Sequence, residues 1–179
     1  MQQTMIRPAR MQTWRIPEFT ISGGAVAGLL SGCVMVVLSP LLAMLTGISP
    51  WAPAKYLAAT VLGPAVIAQA GFPLVPVLLG SLLYVAAAVV LGGIFGVVYG
   101  RVLRLTTDFG LAIYSALAYG PLLAIAIYFG LLPIVNPTIV AAGAGMGAVL
   151  AQTTVFTSFL GLCYTLLCPR PYRWVALRS

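Results

Sequence analysis

Four long stretches of the chain, residues 21–46, 74–100, 109–132 and 138–167, are overwhelmingly apolar. Each exceeds the ~20 residues that a helix needs to cross about 30 Å of hydrocarbon. None shows the two-residue alternation of a barrel strand, and all are apolar on every side, so the pattern predicts four transmembrane helices. The first stretch follows a basic segment, as the apolar core of a signal peptide does, but it is too long for one.

A fifth apolar stretch, 56–71, is interrupted by Gly63-Pro64 and followed closely by Pro73 and Pro76. Charge decides its placement. With four spans, Arg7, Arg10, Arg15, Arg101, Arg104, Arg170, Arg173 and Arg178 fall on one side of the membrane and Lys55 alone on the other. A fifth span would keep only the first three arginines on their side and place all six other basic residues, Lys55 included, on the far side, against the positive-inside bias. The expected fold is therefore all-α: a compact bundle of four transmembrane helices with a short broken helix, 54–71, lying at or dipping into the outer face. Residues 1–17 and 168–179 become a cytoplasmic arm and tail, so the expected location is the cell (cytoplasmic, inner) membrane with both termini cytoplasmic.

Composition agrees and removes whole classes of chemistry. Of 179 residues, 61% are hydrophobic and 6% charged, and the mean hydropathy is +1.09. So few charges cannot solvate a soluble surface, so apolar surface must face lipid. There is no histidine, and the two carboxylates, Glu18 and Asp108, lie on different segments. Acid/base pairs, carboxylate metal cages and proton relays lack parts, so neither an enzyme nor a metal or other cofactor is expected. The net charge of +7 sits at the ends of apolar runs rather than in an aromatic-interleaved stripe, which argues against nucleic acid. Cys33, Cys163 and Cys168 form no CxxC pair and read as inert packing, with Cys168 beside Pro169-Arg170 a candidate for S-acylation.

Several residues mark the ends of the spans. Pro17 suits a first helical turn, with Glu18 beside it at the positive end of the helix dipole. Thr106, Thr107 and Asp108 offer caps for the third span. Trp51 and Tyr56 suit the outer interface, and Tyr172 and Trp174 the inner one. Lys55, between the outer aromatics, is expected to snorkel to headgroups. Arg101, Arg104, Arg170 and Arg173 are expected to hold anionic lipid headgroups. Asn136-Pro137-Thr138 is barred from glycosylation by its proline and reads as an outer turn.

Small residues recur every four positions. Gly24, Gly28 and Gly32 form one ridge and Gly92, Gly96 and Gly100 another; Gly143, Gly147 and Ala151 line the fourth span, and Ala112, Ala116 and Gly120 the third. Such ridges let helix backbones approach closely in lipid. A weak internal repeat runs alongside. Ser39-Pro40-Leu41-Leu42-Ala43-Met44 resembles Gly120-Pro121-Leu122-Leu123-Ala124-Ile125, and Phe95-Gly96-Val97-Val98-Tyr99 resembles Leu160-Gly161-Leu162-Cys163-Tyr164. Two hairpins in one orientation would give a two-plus-two arrangement, with Pro40 and Pro121 kinking equivalent helices.

One polar cluster falls at membrane depth: Gln152, Thr153, Thr154, Thr157 and Ser158. It serves either as helix glue, with hydroxyls returned to the backbone, or as a small polar site contacting a quinone-like head, with Tyr84, Tyr114 and Tyr119 as hydroxyl partners. The candidate polar site is therefore Gln152, Thr153, Thr157, Tyr114 and Tyr119. In outline, the glycine-rich first helix followed by Pro50-Trp51-Ala52-Pro53 resembles small four-helix bacterial inner-membrane proteins, a resemblance that implies no activity. The expected role is a non-catalytic membrane subunit, partnered by lipids and other membrane protein subunits, shaping lipid or quinone access within a larger complex, an energy-transducing one being the candidate. A small-solute transporter, or its substrate-binding component, is the alternative.

Overall fold

A computed structural model describes residues 17–102, 109–135, 137 and 145–167. Five helices carry the architecture: α1 (Pro17–Leu45), α2 (Ala52–Leu62), α3 (Leu74–Val97), α4 (Phe109–Ile125) and α5 (Met146–Leu167). The described residues contain no strand. Four segments, Ile21–Leu45, Leu74–Gly100, Gly110–Ile134 and Met146–Leu167, are long and apolar enough to cross a membrane, the signature of a multi-pass membrane protein. The shortest, at 22 residues, is about 33 Å long at 1.5 Å per residue, enough for the hydrocarbon layer.

The bundle is built from two antiparallel hairpins. In the first, α1 packs along α3, and in the second α4 packs along α5; contact between α1 and α5 joins them. Small residues set both approaches. A Cβ added at Gly28 would overlap the Ala88 carbonyl and stand 3.1 Å from Gly92 Cα, and one at Gly24 would stand 3.0 Å from Gly96 Cα. In the second hairpin, a Cβ on Gly161 would meet Ala116 Cβ at 2.6 Å, and one on Gly120 would meet Thr157 Oγ1 at 2.5 Å. Apolar side chains gain little by leaving lipid for one another, so this close backbone contact supplies dispersion energy that larger residues would forfeit.

Away from these seams the two hairpins are bridged by rings at one end. Phe95 lies 5.5 Å from Tyr119, 5.6 Å from Tyr164 and 5.7 Å from Tyr99, and Tyr99 lies 5.5 Å from Tyr164. Phe95, Tyr99 and Tyr164 are buried, and the Tyr119 hydroxyl donates to the Leu91 carbonyl across 3.4 Å. Each such ring pair adds about 0.5–1.5 kcal/mol beyond its buried area. Tyr99 and Tyr164, which end the two similar segments 95–99 and 160–164, thus meet each other. This cluster closes the end of the bundle at which α3 passes into the π-helical turn Val98–Val102.

The opposite end carries α2. The helix stops at Leu62 because Gly63, at φ +88°, turns the chain into a 3-10 turn, Pro64–Val66. The broken element of the sequence pattern thus begins at Ala52 and breaks at Gly63-Pro64. It returns on itself: Trp51 and Phe72 meet edge to face at 4.5 Å, so its two ends lie side by side. Its inner face settles on α3, where Gly80 lies against the Ala54 backbone; a Cβ at Gly80 would stand 2.6 Å from the Ala54 carbonyl carbon.

Both membrane prolines lie inside helices. Pro40 has no N–H for the Val36 carbonyl one turn back, yet α1 continues to Leu45. In α4, Pro121 is followed by a wide π-helical turn, Ala126–Leu131, and a short helical turn, Leu132–Val135. Wide turns of this kind change the direction in which following side chains face.

Candidate functional site

Sealed by aromatics at one end, the two hairpins part toward the α2 end and leave a cavity of about 470 Å³ between them. All five helices contribute to its wall: Ala43 from α1, Pro53 and Leu57 from α2, Leu91 from α3, Leu123 from α4 and Phe156 from α5. Ile127 and Leu131 of the π-helical turn complete it. Among the described residues no charged side chain lines it. Ala87 and Val90 in mid-α3, Leu131, and Thr46 and Thr60 at the α2 end are exposed lining residues, so the cavity is open along the flank of the bundle and at the α2 end. A second cavity, about 260 Å³, lies between α1, α2 and α3, against Val36, Pro40, Trp51 and Gly80. Tyr84 and Pro53 line both and form the partition between them.

The polar cluster of α5 divides on inspection. Thr157 is fully buried and its hydroxyl donates to the Thr153 carbonyl at 2.9 Å. The Thr153 hydroxyl donates to the Val149 carbonyl at 2.8 Å, and Ser158 to the Thr154 carbonyl at 2.7 Å. These hydroxyls are spent on their own helix, a common use in apolar surroundings. Gln152 differs: its side chain makes no hydrogen bond among the described residues, and it lines the larger cavity with Thr153.

The tyrosines part in the same way. Tyr119 faces α3 through Phe95 and Leu91. Tyr114, expected beside the polar cluster, is instead 74% exposed on the outer surface of α4. Five residues at about 100° each set the two tyrosines roughly 140° apart around the helix, so only one of them can face inward. Tyr84, on α3, lines the cavity that Gln152 lines, and its hydroxyl has no hydrogen-bond partner among the described residues.

Lys55 departs furthest from expectation. Instead of snorkelling outward it is 5% exposed, and its ammonium donates to the Gln69 carbonyl at 2.5 Å. Among the described residues it forms no ion pair. The bond ties α2 to the returning segment of the element, one helical turn inside the Trp51–Phe72 contact. Proximity of the two ends of the broken helix is what buries the lysine, and no residue near it in sequence signals that.

Of the expected packing residues, Gly24, Gly28, Gly32 and Gly92 lie against the facing helix, and Gly96 lies opposite Gly24. Gly100 lies half-buried in the Val98–Val102 turn, which also contains Arg101. Among the described residues Gly147 packs against nothing: a Cβ there would meet no atom within 4 Å. It sits where α4 and α5 part around the cavity that the adjoining Ala148 and Val149 line. Gly143, Arg104, Arg170 and Arg173 lie outside the described residues. No cluster of three or more His, Cys, Asp or Glu occurs among the described residues. No protein-family model matches the chain, and comparison with curated proteins and with solved structures returns no match.

Proposed function

We propose that this chain is a non-catalytic component of the cell membrane that receives a membrane-dissolved, largely apolar molecule between its two hairpins and acts within a larger membrane complex. The observation that carries the reading is the uncharged cavity of about 470 Å³, a size within the roughly 300–1,000 Å³ typical of small-molecule sites. Exposure of its lining in mid-helix, at Val90, suits a molecule arriving from the bilayer, a lipid or a quinone. The charge split of the sequence supports an orientation with both termini cytoplasmic and α2 on the outer side.

A carrier of small solutes is the second reading. One observation favours it: the bundle is sealed by Phe95, Tyr99, Tyr119 and Tyr164 and parts toward the other end, the shape of one state of an alternating-access cycle.

Mild extraction from the native membrane, followed by mass spectrometry of both proteins and lipids, tests the two together. Larger membrane subunits in fixed stoichiometry with a retained amphiphile are the expected result. A chain that migrates alone and is stabilised by a water-soluble solute, without bound amphiphile, refutes the first reading in favour of the second.

A further inference from the structure

We infer that the molecule taken by the larger cavity carries an uncharged head with carbonyl oxygens, held by the Tyr84 hydroxyl and the Gln152 amide; this rests on the reading of the cavity as a binding site. The argument begins with the hydrogen-bond accounting of the lining. Thr46, Thr60 and Thr153 all donate to carbonyls of their own segments, at 2.9, 2.6 and 2.8 Å. Tyr84 and Gln152 donate to nothing among the described residues, although both line the cavity, and Tyr56 on α2 adds a further unpaired hydroxyl on the cap side. In water such groups are satisfied by solvent. No buried side-chain N or O among the described residues lacks a partner, so the Tyr84 and Gln152 polar atoms are open to the cavity, and what fills it from the hydrocarbon must satisfy them, since an unpaired donor there is costly.

The lining therefore presents donors in need of acceptors. The phenol O–H and the two amide N–H bonds each suit a carbonyl oxygen, while the amide carbonyl can accept from a hydroxyl. Charge is excluded on the same ground. Among the described residues no acidic or basic side chain lines the cavity, so a phosphate or ammonium head would enter uncompensated. What remains is an uncharged amphiphile whose head bears carbonyl groups: an alkylated quinone ring or an acylglycerol. Alkyl substituents then lie against Leu57, Leu91, Leu123 and Phe156 and leave through the mouth at Val90 and Leu131.

The test uses the full chain in nanodiscs with four probes of similar apolar length: a decyl-benzoquinone, dioctanoylglycerol, decylbenzene and decyl phosphate. Binding is followed by calorimetry or thermal shift for the natural protein and for Tyr84→Phe and Gln152→Leu. One or both carbonyl-bearing probes are expected to bind at least tenfold more tightly than decylbenzene. Each substitution is expected to weaken that binding by roughly 3–10-fold, the range of one hydrogen bond, and to leave decylbenzene unaffected. Whichever carbonyl probe binds more tightly identifies the source of the head. Equal binding of decylbenzene, untouched by either substitution, overturns the head assignment while leaving the cavity as a binding site. Preference for decyl phosphate overturns it too. Failure of every probe to bind sinks the cavity reading itself. Should Gln152→Leu not fold, Tyr84→Phe, which removes one oxygen and keeps the ring, decides the matter.

Discussion

Substitution of Gly28 by alanine isolates the forces that hold α1 to α3. The added Cβ would overlap the Ala88 carbonyl and stand 3.1 Å from both Ala88 C and Gly92 Cα, where about 3.5–4.0 Å is the comfortable separation of carbon atoms. Both neighbours are helix backbone and cannot rotate away, so the helices must part by about 0.5–1 Å. A gap of that size forfeits a quarter to a half of each contact's energy. If the seam holds about as many close pairs as one buried leucine, roughly 40 at about 0.1–0.2 kcal/mol, it is worth some ~4–8 kcal/mol and loses ~1–4. Gly93→Ala is the matched control, because a Cβ there meets nothing within 4 Å on the same helix pair. Its expected effect is neutral or slightly stabilising, since alanine suits a helix better than glycine. Reversible unfolding in mixed micelles, titrated with denaturing detergent, measures both. Gly28→Ala is expected to fall at least 1 kcal/mol below Gly93→Ala, a margin taken from the lower bound of about 1 kcal/mol above. Two variants of equal stability would falsify the claim that backbone proximity, rather than general apolarity, holds this seam.

Two further outcomes follow from the cap. Lys55→Met keeps the length of the buried side chain but removes its donor to Gln69; amide exchange over 63–71 is expected to quicken while global stability changes by less than about 1 kcal/mol, because the ammonium's desolvation cost disappears with its bond. Unchanged exchange there would show that the lysine does not fasten the element. For topology, with the natural cysteines replaced, Val61→Cys, at a position 63% exposed in α2, is expected to react with an impermeant reagent only from outside and Arg104→Cys only from inside; the reverse pattern overturns the orientation.

Length and uniform apolarity made the spans legible, because a run without charges has only one stable place to lie. The Gly63-Pro64 break was legible for the same kind of reason: glycine at positive φ and a proline with fixed φ leave a helix little choice. Partners within the bundle were harder to read. In a soluble helix the polar stripe shows which side faces out, but here lipid and neighbouring helices both accept apolar side chains, so Tyr114 and Tyr119 look alike in sequence though one is on the surface and the other in a ring cluster. Four-residue glycine spacing marks a surface capable of close approach without saying whether a helix occupies it. Gly28 meets one and Gly147 does not. Burial of Lys55 depends on a carbonyl fourteen residues away, and the cavity depends on where two hairpins part. Neither leaves a local signature.

On the proposed reading, exposure of the lining at Val90, in mid-helix, makes the bilayer the reservoir from which the cavity fills. A tail of ten methylenes gains roughly 8 kcal/mol on leaving water, yet all of that is realised on entering the bilayer. Passage from bilayer to cavity exchanges one apolar environment for another and gains almost nothing from the tail. Residence is then governed by fit and by a pair of hydrogen bonds, so turnover is fast and occupancy tracks the mole fraction of the guest among surrounding lipids rather than its concentration in solution.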